Sequence, residues 1–454
     1  MDVGERRVFA PWAAGSLGLG ALSVESPLLA AGAGASLGLV VLPWMVLFGV
    51  LAVAATVQGF SYKVAGLTFR PDMLVTTVFA LRAFTLAKRA RLERVEWTLI
   101  VFLALQVVTS LLNARDPGES LRSAALLGFG ALAYLSTYTV MSARKRLVTG
   151  ARLLLGVAAV GAVSGILLLV THYALGTSFG VTRLETLAGF PAANGLSYEH
   201  GLFGSTCAAG AVAFFMLWGE RNPLFTEGVS VLGFWVCAAG TAISLSRGAW
   251  VGMVVALAVL AFAYGRVAQV AGRLLLTAVL AAALAGALLV AYPSSAGVGA
   301  ETASALSTQA GRSVSLTSTA TGLYRLEKWE TSLEEIGSSP LLGLGTNSYG
   351  QRHFDLTIYG PKPAYVGNWF VRTLYDSGVI GLFLLLAFAT PIVWPGRGVR
   401  RASGELAPVA RALTGACVVL AVAYLATDSL LLVWPWILLG LTRAARVLTR
   451  AESD

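Results

Sequence analysis

Long apolar stretches alternate with short polar segments along most of the chain. A helix of about 17–25 apolar residues is long enough to cross a membrane and satisfies its own backbone hydrogen bonds there. The pattern predicts such spans at 73–88, 96–113, 119–141, 150–172, 201–218, 227–246, 248–265, 272–292, 376–395, 410–426 and 429–445. Residues 27–58 predict at least one more span, or three short helices together with 9–24, broken at Pro27 and Pro43. We therefore expect about 12 transmembrane helices, with 14 as the alternative.

Composition agrees with an all-α integral membrane protein. Of the 454 residues, 56% are hydrophobic and 12% are charged, whereas soluble domains carry about 25% charged residues. The basic residues are scattered among the spans, which argues against a nucleic-acid partner. The three cysteines lie in apolar runs without paired spacing and predict neither a disulfide nor a metal site. They are Cys207, Cys237 and Cys417.

The basic residues also predict an orientation. Lysine and arginine are enriched in cytoplasmic loops of membrane proteins. Under the predicted spans, six basic clusters fall on one side, which we therefore assign to the cytoplasm. They are Arg6–Arg7, Lys88–Arg94, Arg144–Arg146, Arg266 with Arg273, Arg397–Arg401 and Arg443–Arg450. Both termini are then cytoplasmic, which requires an even number of spans.

Two long segments, 173–200 and 293–375, fall on the opposite side. The second is the large polar insertion, and loops of that length usually have a function. Its residues 322–336 predict an amphipathic helix on the outer membrane face. The apolar face would carry Leu326, Trp329, Leu333 and Ile336. We expect a helical bundle over 1–292, an extracytoplasmic loop domain over 293–375 and C-terminal transmembrane helices over 376–454.

Arg247 lies between two apolar runs on the predicted outer face, against the usual charge bias. An arginine at membrane depth costs about 2.5–3.5 kcal/mol or more, and an anionic ligand would offset that cost. The arginines predicted on this side are Arg183, Arg247, Arg312, Arg325, Arg352 and Arg372. Their planar guanidinium groups suit phosphate oxygens. Contact with lipid head groups is the alternative, and it is as good an interpretation for Arg312 and Arg352.

The same side offers several candidate bases. Glu199 and Asp376 could each accept a proton from a substrate hydroxyl. Of the histidines, His200 follows Glu199 at the start of a span, His353 lies in the long outer loop, and His172 ends a span at an interfacial position. A lone histidine is more often structural than catalytic. No histidine pair has metal-ligand spacing, and no nucleophile motif such as GxSxG occurs. We expect neither a metal nor a cofactor.

Three stretches resemble a known family, the bacterial O-antigen ligase and polymerase superfamily. Ser246–Ala249 resembles its serine-arginine-glycine signature. Tyr324–Trp329 followed by Pro340–Asn347 resembles its arginine helix and the PLLGxG stretch that follows. Asn368–Leu374 with Asp376–Leu382 resembles its final loop-to-span segment. The resemblance covers about residues 180–395, with a weaker match at Arg183–Phe190.

The resemblance implies a metal-independent integral-membrane glycosyltransferase. Such enzymes take a glycan from undecaprenyl diphosphate on the periplasmic face of the bacterial inner membrane. A ligase passes it to the lipid A core of lipopolysaccharide, and a polymerase passes it to another carrier-linked unit. The partners would be the lipid-linked donor, a lipid or glycan acceptor and membrane lipids.

The resemblance also implies roles for single residues. Arg247 and Arg325 would hold the diphosphate, and Arg183 joins them as a candidate. His353 is the nearest candidate base, because Gly367 occupies the position where ligases of this family have a histidine. Glu199, His200, Arg352, Asn368 and Arg372 are further candidates for substrate binding. The departure at Gly367 leaves open whether the chain is a ligase or a polymerase.

Two other interpretations remain. A transporter for a lipid-linked glycan would also need many spans and buried arginines, but transporters usually show repeated halves and charges near the bilayer midplane. The arginines of this chain are predicted at the outer ends of spans, and no repeat is visible. A peptidoglycan-type glycosyltransferase on a similar scaffold is the third interpretation.

Overall fold

A computed structural model describes residues 38–57, 62–64, 67–85, 92–187, 190–291, 320–357, 360–396, 404–427 and 429–453. The helices of this part are α1 Trp44–Thr56, α2 Pro71–Phe84, α3 Arg94–Asn113, α4 Pro117–Met141, α5 Arg144–Leu175, α6 His200–Leu217, α7 Glu227–Ile243, α8 Arg247–Ala263, α9 Val267–Ala291, α10 Ala320–Ile336, α11 Tyr349–Arg352, α12 Trp369–Val393, α13 Ala407–Ala423 and α14 Val433–Ser453. Three antiparallel hairpins join some of them. They are β1 Tyr62–Val64 with β2 Leu67–Phe69, β3 Val181–Leu187 with β4 Phe190–Ala193, and β5 Phe354–Thr357 with β6 Gly360–Pro363. The chain is mostly helical, as the sequence predicts.

Five of the described helices are long and apolar enough to cross a membrane, namely α3, α4, α5, α6 and α12. Shorter apolar helices are α1, α7, α8, α13 and the Val267–Val279 part of α9. The chain is therefore a multi-pass membrane protein. A helix occupies each stretch predicted from residue 73 onward, while the total of 12 spans stays a prediction. Residues 9–24 lie outside the described part, and 27–58 is described only from residue 38.

The helix that contains the predicted span 376–395 starts before residue 376. Helix α12 begins at Trp369, because the buried side chain of Asn368 caps it. The amide oxygen of Asn368 accepts hydrogen bonds from the backbone N–H groups of Phe370 (2.9 Å) and Val371 (3.2 Å), which are otherwise unsatisfied at a helix start. The predicted boundary between 375 and 376 thus falls inside a helix.

The predicted amphipathic helix is present as α10, but its buried face differs from the prediction. Leu333 is 53% exposed, whereas Lys328 and Ser332 are buried. The reason is that α10 packs against α12 and the β5–β6 hairpin, where polar partners are available. The Lys328 ammonium lies 3.0 Å from Asp355 Oδ2, and Trp329 Nε1 donates to the carbonyl of Val366 at 3.1 Å.

The bundle has two distinct ends. The hairpins and α10 lie at one, which we call the hairpin end. A series of contacts joins its parts: Lys362 Nζ donates to the Tyr198 hydroxyl at 3.2 Å, and Ser197 Oγ donates to the Thr56 carbonyl at 3.5 Å. The opposite end, which we call the basic end, holds the described members of the basic clusters. Which end faces the cytoplasm stays a prediction.

At the basic end, several arginines are buried rather than in loops. Arg443 and Arg446 belong to α14 and are 3% and 4% exposed. Arg443 Nε lies 3.1 Å from Glu96 Oε1. Arg446 Nη1 donates to the Ile392 carbonyl at 2.7 Å. These contacts tie the last helix to the start of α3 and the end of α12.

The PLLGLG segment 340–345 packs against a break in α12. Gly378 has φ +65° inside the helix, so neighbouring backbone groups lose their helical partners. Leu344 N–H donates to the Tyr375 carbonyl at 2.8 Å, and Val379 N–H donates to the Pro340 carbonyl at 3.0 Å. A Cβ on Gly343 would lie 2.5 Å from Ser377 N. The glycines of this motif therefore permit a backbone-to-backbone contact.

A buried polar network holds the same segment against α3. Gln106 Nε2 donates to Ser377 Oγ at 2.9 Å, and Thr346 Oγ1 donates to Gln106 Oε1 at 2.7 Å. Thr346 also bonds Ser110. Polar side chains among apolar helices are costly unless paired, and here each pairing joins elements distant in sequence.

Candidate functional site

A cleft opens at the hairpin end, where four elements meet. The start of α6, the start of α8, the helix α10 and the end of α13 surround it. Its lining residues are Glu199, His200, Gly201, Leu245, Ser246, Arg247, Gly248, Arg325, Ala423, Ala426 and Thr427. Arg247 and Arg325, which are 78 positions apart in sequence, therefore share one cleft with Glu199 and His200.

Arg247 is placed by a tight connection between α7 and α8. Leu245 has φ +53°, a left-handed conformation that costs a non-glycine residue about 1–2 kcal/mol. Ser246 then caps α8, its hydroxyl accepting from Ala249 N–H at 3.4 Å. Trp250 Nε1 donates to the Thr241 carbonyl at 3.0 Å and ties the two helices together. Such strain often occurs at functional sites, and here it sets Arg247 at the first position of α8.

The glycine after Arg247 allows α8 to pack closely on α13. A Cβ on Gly248 would lie 3.1 Å from the Ala423 carbonyl oxygen, and one on Gly252 would lie 2.8 Å from the Val419 carbonyl oxygen. Small residues four apart are a common means of close helix approach in membranes. The serine-arginine-glycine pattern thus has a structural explanation: a cap, a cleft residue and a packing position.

Glu199 and His200 stand at the start of α6. Glu199 is the N-cap residue, but its side chain makes no capping hydrogen bond. A Cβ on Gly201 would lie 3.5 Å from Glu199 Oε1 and 3.7 Å from Thr427 Oγ1, which places the carboxylate close to the end of α13. Glu199 and His200 are both half-buried.

Two features of the cleft favour an anion, beside the Glu199 carboxylate that also lines it. Two guanidinium groups line it, and the starts of two helices of 18 and 17 residues, α6 and α8, face it. A helix start carries a partial positive charge and unsatisfied N–H groups, and so favours anions. The opposing end of α13 is partly neutralised, because Trp369 donates its backbone N–H to Tyr424 (3.0 Å) and its indole N–H to Ala421 (2.9 Å).

The structure does not bring the candidate base His353 to the cleft. His353 Nε2 lies 2.8 Å from Glu335 Oε1, and its ring stacks on Tyr349 with centroids 4.4 Å apart. Burial, with the nearby Glu335 carboxylate second, raises the pKa of Tyr349 to about 12. Arg352 ends the short helix α11 and does not line the cleft either.

Asn368 and Arg372 also lie apart from the cleft lining. Asn368 is the cap of α12. Arg372 is 7% exposed and its Nε lies 3.2 Å from Asp376 Oδ2, one helical turn further on. The Asp376 carboxylate, another candidate base, is therefore engaged by a buried arginine. A charge removed from water requires such a partner.

Two arginines of the predicted set cannot be placed in the same way. Arg312 lies outside the described residues. Arg183 belongs to β3, and its side chain falls outside the part that the structure describes. The structure adds Leu245 and Thr427 to the cleft, which the sequence did not single out. The φ of Leu245 has no sequence signature, and Thr427 follows an otherwise ordinary apolar run.

Comparison with known families adds an independent observation. Residues 232–386 match the family model described as O-antigen ligase. The match supports an assignment of this segment to the O-antigen ligase and polymerase superfamily. The match begins within α7, includes Arg247 and Arg325, and ends within α12. It supports a ligase- or polymerase-type glycosyltransferase activity on lipid-linked glycans. A search of curated proteins found no match.

Gly367 occupies the position where the resemblance implies a histidine in ligases, and its backbone conformation favours glycine. Its φ is +69° and the residue is buried. Only glycine adopts such a conformation without strain. The turn before Asn368 therefore favours glycine at position 367.

Proposed function

We propose that the chain transfers a glycan from undecaprenyl diphosphate to a hydroxyl acceptor at the hairpin end of the bundle, on the periplasmic side of the bacterial inner membrane. The observation that carries the proposal is the convergence of Arg247 and Arg325 on one cleft between two helix starts. The placement of the basic residues at the opposite end supports this orientation.

The cleft suits the leaving group of such a reaction. When the bond between the sugar carbon and the phosphate oxygen breaks, negative charge grows on the diphosphate. Guanidinium groups and helix N–H groups fixed beforehand stabilise that charge as it develops. The two arginines and two helix starts then supply what a metal ion supplies elsewhere.

Glu199 is the base that the cleft supports best. It lines the same cleft as both arginines, whereas the His353 ring and the Asp376 carboxylate are engaged elsewhere. In the proposed step the acceptor oxygen attacks the sugar carbon and gives its proton to the Glu199 carboxylate. The sugar–oxygen bond to the diphosphate breaks with its electron pair on the diphosphate.

We propose a ligase that joins polysaccharide to the lipid A core, with a polymerase as the alternative. The departure at Gly367 leaves both activities open, because the histidine that the resemblance implies for a ligase is absent at that position. Mass analysis of surface glycans after deletion of the gene separates the two. If the deletion leaves single, unpolymerised repeat units, the protein is a polymerase. If full chains stay on the carrier, the protein is a ligase.

The direct test is a transfer assay on purified protein, with labelled undecaprenyl-diphosphate-linked glycan and a glycan acceptor. Arg247→Ala and Arg325→Ala should each lower the rate about 10²–10³-fold. Arg115→Ala is the matched control, since Arg115 is an exposed arginine at the hairpin end that does not line the cleft. Near-native transfer by Arg247→Ala would refute the proposal. Movement of the glycan without a change of mass would instead indicate a transporter.

A further inference from the structure

Two exposed tyrosines are adjacent in sequence to residues that line the cleft. Tyr198 precedes Glu199 and is 62% exposed, and Tyr324 precedes Arg325 and is 44% exposed. Consecutive Cα atoms are about 3.8 Å apart, so each tyrosine stands beside a residue that lines the cleft. Tyr365, 47% exposed, belongs to the same surface.

A continuous series of contacts joins these tyrosines across the β5–β6 hairpin. The Tyr324 hydroxyl donates to Asp355 Oδ1. Asp355 pairs with Lys362 in the hairpin register, and Lys362 Nζ donates to the Tyr198 hydroxyl at 3.2 Å. We call Tyr198, Tyr324, Tyr365 and these connecting residues the tyrosine arch. It runs from α10 to the segment before α6, the two elements that carry Arg325 and Glu199.

The rings of the arch are held in place beforehand. The Lys328 ammonium, whose side chain is buried, lies 4.3 Å from the centroid of the Tyr324 ring and 5.3 Å from that of Tyr365. Its ion pair with Asp355 keeps it there. Burial, with the hydrogen bond to Asp355 second, raises the pKa of Tyr324, so the phenol stays protonated. The Lys362 ammonium lies 5.8 Å from the centroid of the Tyr198 ring, so each of the three rings contacts a cation and is also partly exposed to solvent.

This combination fits a sugar. A pyranose ring presents a face of C–H groups with slight positive charge, which packs on the negative face of an aromatic ring, and hydroxyls that bond to nearby polar groups. Tyrosine offers such a surface at little conformational cost. Lys362 and Asp355 supply a donor and an acceptor beside the rings.

We propose that the tyrosine arch binds the sugar rings of the donor glycan nearest the diphosphate. The inference rests on the proposed function, since the diphosphate must occupy the cleft for its sugar to reach the arch. With the diphosphate on Arg247 and Arg325, the attached sugar lies beside the neighbours of the cleft residues, Tyr198 and Tyr324. The arch then sets which glycans are accepted, while the arginines set only the carrier group.

The test compares two probes on the full-length protein in lipid nanodiscs: undecaprenyl diphosphate carrying a trisaccharide, and undecaprenyl diphosphate alone. Tyr198→Ala, Tyr324→Ala and Tyr365→Ala should each weaken binding of the first probe about 3- to 10-fold and leave binding of the second unchanged. Tyr365→Phe keeps the ring and should stay within about twofold of the wild type. Tyr173→Ala is the matched control, because Tyr173 is 55% exposed and its ring packs on His172.

The outcomes separate this inference from the function on which it rests. If the three alanine variants bind the glycan probe as tightly as the wild type does, the arch is not a sugar site. A parallel loss for both probes would show that the tyrosines only support the fold. If Arg247→Ala binds the bare carrier as tightly as the wild type, the proposed function itself fails, whatever the tyrosine variants do.

Discussion

We expect the geometry of the Arg247 guanidinium group, as well as its charge, to matter for diphosphate binding. Its position at the start of α8 favours a planar donor set that bonds two phosphate oxygens together. Lysine keeps the charge but presents a single ammonium. Arg247→Lys should therefore transfer glycan more slowly than the wild type and faster than Arg247→Ala. Initial rates at saturating donor measure this order, and equal rates for the lysine variant and the wild type would show that the fork geometry is unimportant.

The second prediction concerns the proposed role of Glu199 as the base. Glu199→Gln keeps the shape and removes the ability to take a proton. We expect a loss of about 10²–10⁴-fold in the transfer rate with donor binding retained. His353→Gln is the comparison variant, because His353 is engaged by Glu335 away from the cleft, and it should lose much less. The reverse order of the two variants would assign the base to His353.

Single residues were partly predictable from the sequence. Arg247 stood out because it lies between apolar runs against the charge bias, and Arg325 because it projects from an amphipathic pattern. Asn368 and Arg372 were candidates for substrate binding, but the structure uses them as a helix cap and a buried ion pair. Nothing in a lone sequence separates an asparagine that caps a helix from one that contacts a ligand.

Among the helices, α12 has a clear break at Gly378. Gly378 combines φ +65° with close approach of the Leu341 carbonyl. Gly378→Ala must strain that conformation and push segment 340–345 away. We expect a loss of about 1–3 kcal/mol in stability, seen as a lower thermal unfolding midpoint in detergent. Gly228→Ala in α7 is the control, since a Cβ there meets nothing within 4 Å.

If Gly378→Ala unfolds at the wild-type temperature, the packing of segment 340–345 against α12 does not stabilise the molecule.

The helices could be predicted from the long apolar stretches of the sequence, and their starts were predicted within a few residues in most cases. The break in α12 was not predicted, because a glycine within an apolar run reads as an ordinary helix position. Leu333 was predicted on the buried face of α10 but is exposed. The sequence did not indicate this, because the β5–β6 hairpin that packs on the other face of α10 is distant in sequence.

For the molecule as a whole, buried ion pairs at the basic end hold the last helix in place. Glu96 is 0% exposed and receives bonds from Arg443 Nε and from the Tyr134 hydroxyl at 2.9 Å. Without the Glu96 charge, Arg443 keeps only the half-exposed Glu93, whose Oε2 lies 2.6 Å from Arg443 Nη2, so we expect a large part of the roughly 3–5 kcal/mol that loss of one partner of a buried pair costs. Glu96→Gln should therefore lower the unfolding midpoint strongly.

The matched control for that prediction is Glu405→Gln. Glu405 also pairs with an arginine, Arg144, but the two side chains are 71% and 53% exposed. Exposed pairs contribute about 0–1 kcal/mol. Similar midpoints for both variants would contradict the role of the buried pair. The sequence suggested only that these basic residues face the cytoplasm, because the pairing of Arg443 with Glu96 joins positions 347 residues apart.

The proposal as a whole requires that both arginines bind the same diphosphate. An electron-microscopy structure of the protein with undecaprenyl diphosphate decides this. We expect guanidinium nitrogens of Arg247 and Arg325 about 2.7–2.9 Å from diphosphate oxygens, in the cleft between the starts of α6 and α8. A diphosphate bound elsewhere on the bundle, or in contact with neither arginine, would contradict the proposed function.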